Sequence, residues 1–334
     1  MSVIAPEEPP REPATPKPIR LHTRRSRADQ VFRLVTKSSG GFTFVVLFLI
    51  GFFLFLKALP ALRVAGLSFF TTTGFVTTGA HPKFGVASAL YGSATIALIA
   101  VVVAVPVSIS SALFINEYAP RTFLGFFPLK GFLTSAVDLM AAVPSVIYGL
   151  WGFFFLQDKL KNVDQWISHH FGFIPFLNIP NGTVVFTGSY FIAGVLVGIM
   201  IMPIVTSITR EIYSLTPVGE REAAMALGAT RARVIRDVVL PFGLGGTIGA
   251  IMLGLGRALG EAVAVSIILS LSFGISTHLL ETGGNSIAAL IANRWGSGGP
   301  LGESALLACG LILFVFTLIV NFIASVIVTR SKAG

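Results

Sequence analysis

Six stretches of the chain are apolar for about 20 residues or more, at 41–62, 88–116, 131–156, 189–207, 242–271 and 305–328. A helix rises 1.5 Å per residue, so about 20 residues cross the hydrocarbon core of a bilayer. Membrane strands would be about half as long and would alternate apolar with polar residues, which excludes a β-barrel. The pattern therefore predicts an all-α polytopic membrane protein with six transmembrane helices, spans two to six forming the core and the first lying at the periphery. Pro106 is expected to kink the second span, which membrane helices tolerate when neighbours re-satisfy the backbone.

The polar positions between these runs give the orientation. Residues 1–40 carry eight Lys and Arg, four acids and several prolines, and read as a basic cytoplasmic tail that is partly disordered. No secretory signal is expected, because the first apolar run lies beyond this polar region and lacks a small-residue cleavage site. With the tail inside, 17 of the 24 Lys and Arg fall on the tail's side of the membrane and six on the other. Both termini are then cytoplasmic, and 41–330 form one membrane domain. The loop at 157–188, with Trp166, His169 and His170, is read as polar and external; the stretch at 209–241 is internal and the longest charged segment between spans.

Composition narrows the chemistry. Of 334 residues 54% are hydrophobic and 12% charged, against roughly 25% charged in soluble domains, so a soluble globular protein is excluded. The net charge of +9 would suggest nucleic acid in a soluble protein, but the basic bias of one membrane face accounts for it and no nucleic-acid partner is expected. The single Cys, Cys309, excludes a disulfide framework and reads as a small apolar residue of the sixth span. His169 and His170 have no Cys or acid at metal-ligand spacing and read as solvated, so no metal is expected. Asn181 heads a glycosylation sequon to which no role is given. A phosphate loop of the GxxxxGKS type is missing, so any nucleotide would be bound by another chain.

Two charges stand inside the fifth apolar run, Arg257 near its centre and Glu261 four residues on. Mid-membrane charges cost at least a few kcal/mol each, which makes both functional candidates. On a continuous helix this spacing places them on one face within pairing distance. Glu261 would then neutralise Arg257 until an anion displaced it, and the pair would act as a gate; the plain alternative is a structural salt bridge. Glycines at 245, 249, 256 and 260 are expected to let another helix approach closely. Asp138, in the third run, is a second candidate for an ion path, the alternative being an inter-helix hydrogen-bond partner.

In the loop at 209–241, Glu222-Ala223-Ala224 is followed by three residues to Gly228, then nine to Val238, then Leu240-Pro241. Helix formers on either side of Gly228 predict two short helices joined at a glycine. This spacing resembles the EAA loop of ABC importer permeases, with Val238 where that family most often has Ile. The resemblance implies the type I importer permease fold. It also implies a coupling helix, seated in a groove of a cytoplasmic ATPase, that involves Glu222, Ala223, Ala224, Gly228, Leu240 and Pro241.

Three further strings, GLGRALGEAVAV at 254–265, VPSVIYGLWG at 143–152 and NEYAP at 116–120, resemble the C-type permease subunits of high-affinity phosphate importers. That resemblance covers about 41–330 and places Arg257 and Glu261 on the translocation path. It implies inward passage of inorganic phosphate across a bacterial plasma membrane, with no catalysis in this chain. The implied partners are an A-type permease, two ATPase subunits that hold ATP and magnesium, and an extracytoplasmic phosphate-binding protein. A sulfate or molybdate permease would share the loop but not the GLGRALGE string, and a secondary transporter or channel would not need the loop.

Overall fold

Helices form where the apolar runs predict them, but several are longer than expected and two of the predicted spans are broken. The computed structural model describes residues 26–120, 122, 127–178 and 187–331. Disorder at the start of the tail and the sequon at Asn181 therefore lie outside the described residues. Two compact units divide the chain, Met1–Ile50 and Gly51–Gly334.

Helix α1 (Arg27–Ala65) starts well before the apolar run, so the second half of the supposed tail is helical. Polarity alone does not break a helix. Asp29 lies in the first turn, where it favours the helix dipole. The hydroxyls of Thr36 and Ser39 bond back to the carbonyls of Phe32 and Val35 at 2.9 and 3.0 Å.

In the second unit, the end of α1 meets α12 (Gly299–Ser331). The Ser304 hydroxyl donates to the Lys57 carbonyl at 2.8 Å and accepts from the Ala61 N–H at 3.1 Å, so it is inserted into the helical ladder beside Pro60. Cys309 is fully buried among Ala58, Ala61, Ile287 and Leu290.

The centre of this unit is α2 (Ala87–Leu113), which ends in a π turn at Phe114–Tyr118, packed along α6 (Tyr190–Ser214). Small residues allow the approach: a Cβ on Gly194 would lie 2.6 Å from Ile99, and one on Gly198 would lie 3.1 Å from the Ala100 carbonyl. Ser108, buried in the seam, donates to the Met202 carbonyl at 3.0 Å.

The predicted third span is not one straight helix. α3 (Leu129–Ala141) is followed by α4 (Ser145–Trp151), a π turn at Gly152–Leu156 and α5 (Gln157–Phe171), and the chain bends by 92° at the break. Pro144 is the cause, since the residue before a proline disfavours helix. Tyr148 closes the gap by donating its hydroxyl to the Met140 carbonyl at 2.9 Å. α5 also corrects the reading of 157–188 as a plain loop; His169 and His170 are exposed in its last turn, where the His170 ring stacks on Trp166 at 4.6 Å.

Beyond α6 come α7 (Val218–Ala226) and α8 (Arg231–Val234). α8 runs through a π turn at Ile235–Val239 into α9 (Leu240–Leu259). The widened turn sits immediately ahead of Pro241, whose ring and missing N–H would otherwise disturb a regular helix. α10 (Val263–Ile268) and α11 (Ile287–Arg294) follow, so the Gly-rich connection before α12 contains a helix of its own. α11 is pinned into the core by the Ile287 N–H, which donates to the Ser93 hydroxyl at 2.9 Å. Among the described residues five helices are long and apolar enough to cross a membrane, and six spans result when the bent pair counts as one.

Candidate functional site

The fifth predicted span is displaced as well as broken, and this changes the relation of its two charges. The helix runs continuously from Arg231 to Leu259, then stops; the expected single run to 271 is interrupted at Gly260–Ala262. Arg257 lies in the last turn of α9. Glu261 lies beyond the end, and its Oε1 accepts from the Ala264 N–H at 3.0 Å, so the carboxylate caps α10. Among the described residues no ion pair joins Arg257 and Glu261. The predicted gate by mutual neutralisation is therefore not formed, because the i,i+4 argument requires a continuous helix and the helix ends between them. Arg257 is exposed, whereas Glu261 is 9% exposed.

Arg257 opens into a cavity of about 520 Å³, walled by Ile204 of α6, by Gly249, Met252, Leu253, Gly256 and Arg257 of α9, and by Asn321 of α12. A Cβ on Gly249 or Gly256 would meet nothing within 4 Å, so these glycines keep space open and are not the close helix contacts expected of them. The close approach to α6 is made instead by Gly243, Gly246 and Gly254, where a Cβ would fall 2.4, 2.7 and 2.7 Å from Tyr213, Ile212 and Val205. One face of α9 is thus packed and another is bare backbone beside a guanidinium. An Arg fork suits a tetrahedral oxyanion, and the apolar walls limit competition from water.

Asp138 stands apart from these walls. Its Oδ1 accepts from the Ser207 hydroxyl at 2.8 Å and lies 3.7 Å from Arg210 Nη2, which ties α3 to α6. Asn321 escaped sequence reasoning, although a lone amide between Val320 and Phe322 was a usable signal.

The loop at 209–241 folds as two short helices meeting at Gly228. The Gly228 N–H donates to Met225 O at 2.9 Å and the Ala229 N–H to Ala224 O at 3.1 Å. Gly228 itself has φ 84°, the left-handed conformation that closes helices at glycine. Glu222 and Ala223 are exposed and Ala224 is half-buried. The apolar side chains of Leu227, Val218 and Met225 are 89%, 66% and 53% exposed. Leu240 packs with Tyr213 and Val239, while Pro241 is exposed.

Substitutions at two positions, Gly256 in the cavity wall and Glu261 beyond the end of α9, test these assignments. Gly256→Leu places a branched side chain in the open space next to Arg257 and should block transport with membrane insertion unchanged; uptake at the parental rate would exclude this cavity from the path. Glu261→Gln keeps an oxygen that can accept from Ala264, so its uptake should stay near parental. Glu261→Ala loses the cap, worth about 1 kcal/mol, and should lower complex stability in thermal melts. Equal loss of uptake in both variants, at equal stability, would restore a role for the negative charge.

A helical membrane bundle, a glycine-jointed loop pair and a cation lining an open cleft between helices are the features of a transporter permease. The chain belongs to the family described as binding-protein-dependent transport system inner membrane component, whose family model matches residues 104–333. It is 40% identical over 303 residues to the "Phosphate transport system permease protein PstC 2" of Mycobacterium tuberculosis, covering 90% of this chain and 92% of that one. It is 36% identical to the "Phosphate transport system permease protein PstC" of Xylella fastidiosa strain 9a5c, with 96% of each chain covered. Among solved structures, a chain of a bacterial alginate ABC transporter superposes with a TM-score of 0.55 at 16% identity, over 88% of this chain and 93% of that one. A chain of the MetNI methionine ABC transporter in an inward-facing conformation gives 0.53 at 14% identity, over 73% and 94%. The fold is that of type I ABC importer permeases.

Proposed function

We propose that this chain is the transmembrane permease subunit of an ATP-driven importer that carries inorganic phosphate into the cytoplasm. The observation that carries the reading is the Arg257 guanidinium, unpaired with Glu261 and opening into a cavity walled by α6, α9 and α12. Relatives at 36% to 40% identity are named phosphate permeases, and the string around Arg257 is one of three that resemble C-type phosphate permeases.

The exposed Leu227, Val218 and Met225 support docking of α7 and its flanks on a cytoplasmic ATPase, because a merely solvated connector has no reason to present them. In this reading two ATPase subunits supply ATP and magnesium, an A-type permease completes a heterodimeric path, and an extracytoplasmic binding protein delivers phosphate. Both termini are cytoplasmic, the membrane is the bacterial plasma membrane, and no covalent chemistry occurs in this chain.

Purification through a tag on this chain should recover the second permease and the ATPase. The complex in proteoliposomes, with the binding protein outside, should take up radiolabelled phosphate only when ATP is enclosed in the lumen with the inward-facing ATPase. Uptake without ATP would point to a secondary transporter, and preferential uptake of sulfate or molybdate would overturn the substrate assignment.

A further inference from the structure

The first of the two short loop helices, α7, has no buried residue. Apolar packing therefore does not anchor it. Arg221 does so through polar contacts. Its Nη1 donates to Glu117 Oε1 at 2.8 Å, and its Nη2 donates to the Tyr213 carbonyl at 2.6 Å. One guanidinium thus holds the end of α2 and the end of α6 at once. The side chains are 19% and 11% exposed, so the pair is shielded from much of the solvent that weakens surface ion pairs.

The residues flanking Glu117 grip the same region. Asn116 Nδ2 donates to the Arg210 carbonyl at 2.5 Å, and Lys130 Nζ of α3 reaches the Asn116 carbonyl at 3.5 Å. The Arg231 guanidinium of α8 lies 5.7 Å from the Tyr118 ring centroid. Three successive residues of the π turn that ends α2 therefore touch α6, α7 and α8. π turns depart from regular helix geometry and recur at functional sites. Displacement of α7 would pass through Arg221 into α2 and α6, which pack along one another, and α6 supplies Ile204 to the cavity wall.

We propose that the Glu117–Arg221 ion pair is the pin that transmits movement of the coupling helix to α2 and α6, and that both are positioning residues for transport. The proposal rests on the ATP-driven permease reading and adds the route by which the drive reaches the path.

The test uses the complete complex in proteoliposomes and reads phosphate imported per ATP hydrolysed, together with recovery of the assembled complex. Glu117→Arg and Arg221→Glu should each lower that ratio about tenfold, within the range of ordinary coupling energies, while ATP hydrolysis continues. The double exchange, Glu117→Arg with Arg221→Glu, should recover part of the ratio lost in the singles, since the ion pair is restored although a carboxylate at 221 cannot donate to the Tyr213 carbonyl. Parental ratios in the single variants would overturn the proposal, as would a double exchange that assembles normally yet transports no better than the singles. If either reversal fails to assemble, Glu117→Gln decides, since it keeps the shape and one acceptor but removes the charge: a reduced ratio supports the pin and a parental ratio overturns it. Parental uptake alongside unaffected variants would reject the pin alone, whereas absence of ATP-driven uptake in the parental complex would reject the permease reading itself.

Discussion

Arg257→Gln should abolish phosphate import while the subunit still inserts and assembles. A phosphate ion that sheds part of its water in the membrane needs compensating charge, and removing one partner of a desolvated ionic contact costs about 3–5 kcal/mol. Each 1.4 kcal/mol is tenfold, so a loss of roughly 100-fold or more is expected in initial uptake rate. Arg257→Lys should retain part of the activity, because an ammonium keeps the charge but loses the bidentate fork. The geometry adds a reason for the size of the effect: Glu261 is occupied with the Ala264 N–H and does not neutralise Arg257. The cavity therefore presents a standing positive charge. One Arg does not balance a dianion, so a second cation is expected from the facing permease. Uptake by Arg257→Gln at the parental rate, measured with equal amounts of assembled complex, would remove Arg257 from the path.

Much of this arrangement was legible in the chain, because a bilayer leaves few alternatives to apolar helices of a fixed minimum length. The six runs located the membrane segments, and the spacing from Glu222 to Pro241 located the loop pair. Hydropathy could not show the breaks. Residues 131–156 and 242–271 keep a high average hydropathy in spite of Pro144 and of Gly260-Glu261, so the average hides the 92° bend and the end of α9. The error about Arg257 and Glu261 follows directly, since the i,i+4 pairing assumed a helix running through Gly260, whereas Glu261 accepts from the Ala264 N–H three residues on. The start of α1 at Arg27 failed for the opposite reason, a polar segment being taken as unstructured when its side chains only placed it outside the hydrocarbon. The Glu117–Arg221 contact lies 104 residues apart in sequence, and no local pattern could pair two such residues.

Gly228→Val should uncouple ATP hydrolysis from uptake without preventing insertion. Gly228 has φ 84°, and a Cβ there would meet nothing within 4 Å, so crowding is not the obstacle; the backbone conformation is. Left-handed backbone costs an L-residue roughly 1–2 kcal/mol, with a β-branched side chain among the least tolerant. The chain relieves that strain by reopening the bonds from Gly228 to Met225 and from Ala229 to Ala224, two of those that close α7. Loss of this closure changes the angle at which α7 meets α8, and α8 continues through the π turn into α9, whose last turn holds Arg257. The ATPase would then act on a loose joint. Gly228→Asn, which tolerates the left-handed region better, should keep far more coupling than Gly228→Val, and this ordering separates a conformational cause from a change in polarity or size. The measurement is phosphate-stimulated ATP hydrolysis beside phosphate uptake in proteoliposomes. Parental values of both for Gly228→Val would show that the joint does not transmit, and equal losses for Val and Asn would show that the left-handed turn is not the reason.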